Sequence, residues 1–294
     1  MTHPRRILRP LHFAFTAIPL FLGFAQTTRC QTSIVVYRDT QQLVIGADSR
    51  RGEKEIRLGT VVSDRAVTIT KIQRIEGVAV AIAGSYTFEP REIAIQSFKG
   101  HSSIFEKASA FQEALRQPLQ DMIENFVKPL LLNGQITIHP ERPILQVIVA
   151  GFERGTPSYV VFEFYTVQSG LFMPNLIAPT LTLRENVFRC PGDCNKDRSY
   201  YAIGRSEAIN VTSPIINDLR FWEAFGPSDG VRALISIEIN AAPEEVGPPI
   251  DIVRMTKDIW CWAEPKTKKE SDDPDIKPCN AFPTRKTRPK RSSR

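Results

Sequence analysis

Residues 32–48 read TSIVVYRDTQQLVIGAD, and this stretch decides the fold. Two apolar runs, Ile34–Tyr37 and Leu43–Ala47, flank a polar turn, which is the pattern of a buried β-hairpin. Thr32 opens the first strand, and Asp48 directly follows the second. The stretch therefore predicts two core strands whose outer ends carry a hydroxyl group and a carboxylate.

The apolar pattern of the remaining chain alternates between strand pairs and helices. Residues 102–127 have apolar side chains every three or four positions, with a capping box at Ser103 and Glu106 and a kink at Pro118. Strands are predicted at 66–75, 78–83, 144–153, 158–167, 199–204, 249–255 and 258–262, and a second helix at 231–242. Adjacent hairpins and grouped helices favour an α+β body over a parallel sheet.

The N-terminal region is typical of an export signal. Arg5, Arg6 and Arg9 form a basic segment, and residues 11–25, LHFAFTAIPLFLGFA, form an apolar one. The apolar run is short for a membrane span and contains Pro19. We therefore predict a signal peptide at residues 1–25, cleavage after Ala25, and a secreted or periplasmic protein. A retained membrane anchor is the alternative.

The cysteine count agrees with export. The chain has five cysteines, and four remain if it begins at Thr32. An even number suits disulfides in an oxidising compartment, with Cys190–Cys194 and Cys261–Cys279 as the candidate pairs. A metal site is the alternative, but the Cys-x-x-x-Cys pair has no histidine at ligand spacing.

The positive charge lies at the two ends of the chain. The net charge is +6, yet four arginines precede Thr32 and six cations lie in the last ten residues. The body between them is close to neutral, so no nucleic-acid partner is predicted. Residues 264–294, rich in Lys, Pro and Asp, are predicted to form a basic, disordered tail.

Several common catalytic motifs do not occur in the sequence. It has no Gly-x-Ser-x-Gly elbow, no Gly-rich phosphate loop and no His-Glu-x-x-His zinc motif. Beyond the leader, only His101 and His139 remain, each in a polar turn, so a Ser-His-Asp triad is not favoured. We predict no cofactor and no metal ion.

A threonine at a new N-terminus can supply both nucleophile and base. Its hydroxyl group is a weak nucleophile, and a cut before Thr32 would free an α-amine with an ordinary pKa of about 7.7–8.0. A nearby lysine would lower that pKa, and a carboxylate would hold the lysine in place. Asp48 follows the second strand, and Lys71 lies in the third predicted strand.

At these residues the sequence resembles the proteasome β-subunit family, including the bacterial HslV-type peptidases, within the N-terminal-nucleophile hydrolases. The matching pieces are TSIVVYRD (32–39), VIGADSR (44–50) and TKIQRIEGVAVAIAG (70–84). Further pieces are LQVIVAGFERG (145–155), YYAIGRSEA (200–208) and GPPIDIVRMTKD (247–258). The resemblance covers residues 32–263, the predicted hydrolase domain, and the spacing from Thr32 to Asp48 fits without gaps.

The resemblance implies a fold, a site and partners. The fold is a four-layer αββα sandwich. Thr32 is nucleophile and base, Asp48 and Lys71 tune it, the Gly84 backbone N–H stabilises the oxyanion, and Ser206 completes the site. A helix N-cap is the other interpretation of Ser206. The implied substrate is a peptide or unfolded protein, and a homo-oligomer is a possible assembly. No ATPase partner is expected outside the cytoplasm.

The sequence departs from the family pattern at two places. A short insertion separates GADSR from Lys71. Where the family often has an Asp-x-x-Ser-Gly or Asp-x-x-Thr-Gly segment, this chain reads AAPEEVGPPID, with Pro243 and Val246 at the expected positions. Glu244 or Glu245 is a candidate substitute for the supporting aspartate.

The sequence allows more than one interpretation of how the chain matures and of what it does. Cleavage after Ala25 leaves a propeptide, residues 26–31, which Thr32 could remove by attacking the Gln31 carbonyl. Cys30 is a rival nucleophile that would require a cut at Arg29. The predicted function is an exported threonine-type peptidase acting through an acyl-enzyme. The alternatives are a catalytically inactive scaffold or binding subunit and a non-proteolytic amidase or acylase.

Overall fold

The computed structural model describes residues 32–57, 60–68, 71–169, 180–263 and 277–279. The predicted signal peptide, the propeptide and Cys30 lie outside these residues. Thirteen strands are described: β1 Ser33–Asp39, β2 Gln42–Asp48, β3 Arg50–Arg57, β4 Thr60–Thr68, β5 Ile72–Ile75, β6 Val78–Gly84, β7 Pro143–Glu153, β8 Thr156–Ser169, β9 Thr180–Cys190, β10 Arg198–Gly204, β11 Ile250–Thr256, β12 Trp260–Trp262 and β13 Lys277–Pro278.

The opening hairpin lies in a six-stranded sheet with the order β10-β1-β2-β11-β12-β13. β1 pairs antiparallel with β2, with Ile34 opposite Ala47, and with β10, with Ser33 opposite Gly204. β2 continues to β11, where Asp48 lies opposite Ile250. The predicted hairpin is confirmed, and its two ends lie beside strands from much later in the chain.

A second sheet has the order β5-β6-β7-β8-β9. The turn at Glu76–Gly77 joins β5 to β6, and the turn at Arg154–Gly155 joins β7 to β8, both as predicted. β9 was not predicted from the sequence; it pairs with residues 159–169 of β8. Exposed and less exposed residues alternate over 180–187, but only Leu181 and Cys190 are fully buried, so few apolar positions mark the strand in the sequence.

The segment between Asp48 and Lys71 forms a hairpin of its own. β3 and β4 pair antiparallel as a separate two-stranded sheet. The prediction of one continuous strand over 66–75 is therefore wrong, because residues 66–68 pair with β3 and only Ile72–Ile75 pairs with β6. The strand before Lys71 therefore pairs with β3, and the strand after it pairs with β6.

Six α-helices are described: α1 Pro90–Phe98, α2 Ile104–Met122, α3 Lys128–Leu132, α4 Glu207–Val211, α5 Ser213–Ile216 and α6 Leu219–Ala241, with a π-helical turn Ile123–Val127 between α2 and α3. Ser103 and Glu106 form the predicted capping box. α2 runs through Pro118, and α6 has a kink at Gly226, a residue with φ of +72°. The predicted helix at 231–242 is the second part of α6.

Three apolar clusters show how these elements pack. One contains side chains from both large sheets, so the sheets face each other. The second joins α1 and α2 to the outer face of the five-stranded sheet, and the third joins α4, α5 and α6 to the outer face of the six-stranded sheet. The α+β class is confirmed.

The packing of α6 on the six-stranded sheet depends on a glycine in β2. A Cβ atom at Gly46 would lie 2.4 Å from Val231 Cγ1 and 2.8 Å from Ile235 Cδ1. We predict that Gly46→Ala lowers the free energy of unfolding by about 1–3 kcal/mol, because α6 must move away from the sheet. Urea denaturation tests this, with the exposed turn variant Thr40→Ala as the control, expected within about 0.5 kcal/mol of wild type.

Two disulfides connect described residues. Cys190 bonds Cys194 across a Cα–Cα distance of 5.3 Å, and Cys261 bonds Cys279 across 4.7 Å. Within the predicted tail, Lys277 and Pro278 pair with β12, and Cys279 is joined to it by the second disulfide. Among the described helices, none combines the length and apolar character that a membrane crossing requires.

Candidate active site

Thr32 directly precedes β1, which lies in the six-stranded sheet. It is half-buried, and it directly precedes the pairing of Ser33 with Gly204. The carbonyl oxygen of Thr32 accepts a hydrogen bond of 2.6 Å from the backbone N–H of Arg205. The first residue of the hairpin is therefore held by the segment that follows β10.

Asp48 connects Thr32 to two other parts of the chain. Its side chain is fully buried. Oδ1 accepts hydrogen bonds from the Ser33 backbone N–H at 2.7 Å and from Lys71 Nζ at 2.9 Å, and Oδ2 accepts from the Gly247 backbone N–H at 3.3 Å. The peptide unit between Thr32 and Ser33 is thus held on both sides: Arg205 binds its carbonyl, and Asp48 binds its N–H.

Burial controls the electrostatics of the Asp48–Lys71 pair. The side chains are 0% and 3% exposed. Burial raises the pKa of the Asp48 carboxyl, while the Lys71 ammonium and the two backbone amides oppose that rise. A buried ion pair survives only where each charge has such partners, because desolvation costs several kcal/mol per ion. The Asp48 carboxylate therefore lies between the Lys71 ammonium and the Thr32–Ser33 peptide unit and contacts both.

A glycine at the end of β10 allows the backbone to approach Thr32 this closely. Gly204 has φ of +76°, and a Cβ atom on it would lie 1.7 Å from the Thr32 carbonyl oxygen and 3.2 Å from Ala83 Cβ. Gly84 follows Ala83 at the end of β6, has φ of +123° and is exposed. Gly84 therefore lies on the same side of the molecule as the Thr32 contact, with its backbone accessible.

Ser206 and Arg205 have different contacts from those expected. Ser206 occupies the N-cap position of α4, and its Oγ accepts from Asn210 Nδ2 at 3.4 Å. The described contact with Thr32 comes from Arg205, the neighbouring residue. A role of Ser206 at the site stays a prediction. Ser206 occupies the N-cap position, but its side chain makes no capping hydrogen bond to a backbone N–H of α4.

Two residues of the segment 243–247 have described contacts at the site. The Gly247 N–H donates to Asp48, as described above, and Glu245 Oε2 lies 3.4 Å from Arg205 Nη1. Glu244 is exposed, whereas Val246 is fully buried. Of the two candidate glutamates, Glu245 is therefore the one that reaches the segment beside Thr32.

Gln146 is a site neighbour that the sequence analysis missed. Its Oε1 accepts from the Gly204 N–H at 2.7 Å, and its Nε2 donates to Glu163 Oε1 at 2.6 Å. Glu163 also accepts from the hydroxyl group of Tyr165 at 2.6 Å. The available signal was a glutamine inside the apolar strand ILQVIVAGF, because a polar side chain in a buried strand requires a partner.

The two histidines considered from the sequence are not part of this site. His101 follows α1 and is exposed, and His139 lies 3.3 Å from Glu141 in an exposed turn. Within the ranges that the structure describes, no group of three His, Cys, Asp or Glu side chains could hold a metal ion. The described polar groups that contact the Thr32–Ser33 peptide unit directly are the Asp48 carboxylate and the Arg205 backbone N–H.

Comparisons with known proteins do not assign a family. No family model matches the chain, and no curated protein matches it. The functional conclusion therefore depends on the site geometry and on the motifs of the sequence.

The close approach at Gly204 leads to a sharp prediction. We expect Gly204→Ala to abolish the amide hydrolysis predicted from the sequence, since the new methyl group would lie 1.7 Å from the Thr32 carbonyl oxygen and displace it. Gly100→Ala is the matched control, because Gly100 has φ of +80° and nothing within 4 Å of a Cβ atom. The control should lose only about 1 kcal/mol of stability and keep its activity. Equal activity in both variants would contradict the prediction.

Proposed function

We propose that this chain is an exported threonine-dependent amide hydrolase with Thr32 as nucleophile. One observation carries the proposal: the Asp48 carboxylate joins the Lys71 ammonium to the Thr32–Ser33 peptide unit. Buried charges require a reason, and structural ion pairs are often replaceable by apolar side chains. A buried pair directed at the first residue of a processed chain is suited to tuning that residue.

Each described group has a proposed part in the reaction. The free α-amine of Thr32 accepts the proton of its own hydroxyl group, and Oγ1 attacks the substrate carbonyl carbon. The nearby Lys71 ammonium disfavours protonation of the amine and so lowers its pKa. The Gly84 N–H donates to the oxyanion as the carbon becomes tetrahedral, an interaction worth about 10²–10³ in rate.

The second half of the reaction restores the enzyme. The ammonium of Thr32 gives its proton to the leaving amine, the C–N bond breaks, and an ester on Oγ1 remains. The α-amine then takes a proton from water, whose oxygen attacks the ester carbonyl. Breakage of the ester bond releases the carboxylic acid and returns the proton to Oγ1.

The proposed fold and maturation follow from the same residues. The three apolar clusters suit an αββα sandwich of the N-terminal-nucleophile type. Thr32 would remove residues 26–31 by attacking the Gln31 carbonyl. Short or unfolded peptides are the proposed substrates, since no ATPase is expected to supply unfolded chains outside the cytoplasm, and a homo-oligomer is the proposed assembly.

A catalytically inactive scaffold is the second candidate. The substitution of Pro243 and Val246 at positions where the resembled family has supporting polar residues favours it. A scaffold would keep residues 26–31 and would not react with threonine-directed epoxyketones. A non-proteolytic amidase would react with the probe but would prefer acyl amides to peptides.

The deciding experiment is the mass of the exported chain before and after epoxyketone treatment. We expect a chain that begins at Thr32 and gains one probe molecule on that residue. A library of fluorogenic peptide amides and acyl amides then distinguishes peptidase from acylase. A chain that begins at Gln26 and stays unlabelled would exclude the threonine mechanism.

A further inference from the structure

Arg205 lies among three carboxylates beside Thr32. Its guanidinium group is 3.1 Å from Glu207, 3.4 Å from Glu245 and 4.0 Å from Glu238. The Arg205 side chain is 23% exposed, and that of Glu245 is 20% exposed. The three carboxylates favour one position of the guanidinium group through charge, because each lies within ion-pair distance of it.

The innermost carboxylate explains why a cation is needed here. Glu238 is fully buried in α6, and its Oε1 accepts from the Ile209 N–H at 2.8 Å. Its Oε2 has no hydrogen-bond partner. Arg205 lies within ion-pair distance of this oxygen and supplies positive charge to it. The position of Arg205 is therefore determined by α6 as well as by its own loop.

The Arg205–Glu245 contact closes a ring around the Thr32–Ser33 peptide unit. On one side, the Arg205 N–H holds the Thr32 carbonyl. On the other, Asp48 holds the Ser33 N–H and itself accepts from Gly247. Glu245 and Gly247 belong to the same short segment. The Arg205–Glu245 ion pair thus connects the segment that binds the Thr32 carbonyl to the segment that binds Asp48.

We propose that Arg205 is a positioning residue for Thr32 and that Glu245 is its anchor. The inference rests on the proposed function, because it assigns a role in the orientation of that nucleophile. A displacement of about 1 Å at a reacting group can cost about 10²-fold in rate. Loss of the anchor should therefore lower kcat while substrate binding is retained.

Glu245→Gln and Glu244→Gln are a matched pair, because the two residues are adjacent and only Glu245 has a described contact with Arg205. With the fluorogenic peptide amide that wild type cleaves fastest, Glu245→Gln should lower kcat about tenfold and keep KM within about twofold. Glu244→Gln should keep both constants within about twofold of wild type. Thermal unfolding of each variant checks that the folded fraction is unchanged.

Arg205→Met tests whether Glu245 acts through Arg205. It should lower kcat about 100-fold, and adding Glu245→Gln to it should cause no further loss. If Arg205→Met does not fold, the Glu245 and Glu244 pair still decides the question.

The outcomes distinguish this inference from the proposed function. An active wild type with equal kcat in Glu245→Gln and Glu244→Gln would overturn the inference alone, as would losses that multiply in the double variant. A wild type without Thr32-dependent turnover would overturn both.

Discussion

Thr32→Ala is expected to give a folded protein that has no measurable amidase activity and keeps residues 26–31. The substitution removes the attacking oxygen, and loss of a nucleophile typically lowers kcat by at least about 10³-fold. The described structure should tolerate the change, because Thr32 precedes β1 and is half-buried. The measurements are the mass of the exported chain and the turnover of the peptide amide library.

Two further variants make this result specific. Thr32→Ser keeps a hydroxyl group and should keep processing and part of the activity. Thr40→Ala changes an exposed threonine in the same hairpin and should behave as wild type. Normal processing and turnover in Thr32→Ala would show that Thr32 is not the nucleophile, and Cys30 would then require the same test.

Lys71→Met is expected to have the largest effect on stability. It leaves the Asp48 carboxylate buried without its ammonium partner, and breaking a buried pair in this way costs about 3–5 kcal/mol. Turnover should fall as well, because the charge that lowers the pKa of the Thr32 amine is lost. Urea denaturation and kcat of the folded fraction measure the two effects separately.

The surface pair Lys128–Glu124 provides the control. Its atoms are 2.8 Å apart, much as in Lys71–Asp48, but its side chains are 26% and 42% exposed. Lys128→Met should therefore cost less than about 1 kcal/mol.

The double variant Lys71→Met with Asp48→Asn separates folding from chemistry. Removing both charges should restore part of the stability, because no unpaired buried charge remains. It should not restore turnover. Recovery of full activity in the double variant would show that the pair has only a structural role.

The local elements were predictable because their signals are local. The alternation of apolar residues around a polar turn predicted β1 and β2, and the spacing in α2 with its Ser103 cap predicted that helix. β9 and the hairpin of β3 and β4 were missed or misplaced. The signal of β9 is weak because, as an edge strand, it has only two fully buried positions, Leu181 and Cys190.

The candidate site was predictable only in part. The sequence pointed to Thr32, Asp48 and Lys71, and the structure brings the last two together at the Thr32–Ser33 peptide unit. It did not point to Gln146 or to the contact of the Arg205 backbone with Thr32. Those contacts join residues that lie far apart in the chain, and no local pattern encodes them.

The sequence predicted the α+β class and the buried opening hairpin, and it offered Cys190–Cys194 and Cys261–Cys279 as candidate disulfides, which the structure contains. These follow from periodicity and residue type, which report how each short segment meets the core. Only the tertiary structure decided which segments surround Thr32. The order of strands in the six-stranded sheet places β10 beside β1 and β11 beside β2. That order depends on the packing of the whole chain. The backbone amides at the site come from separate segments, and the packing of the core determines which of these segments lie side by side.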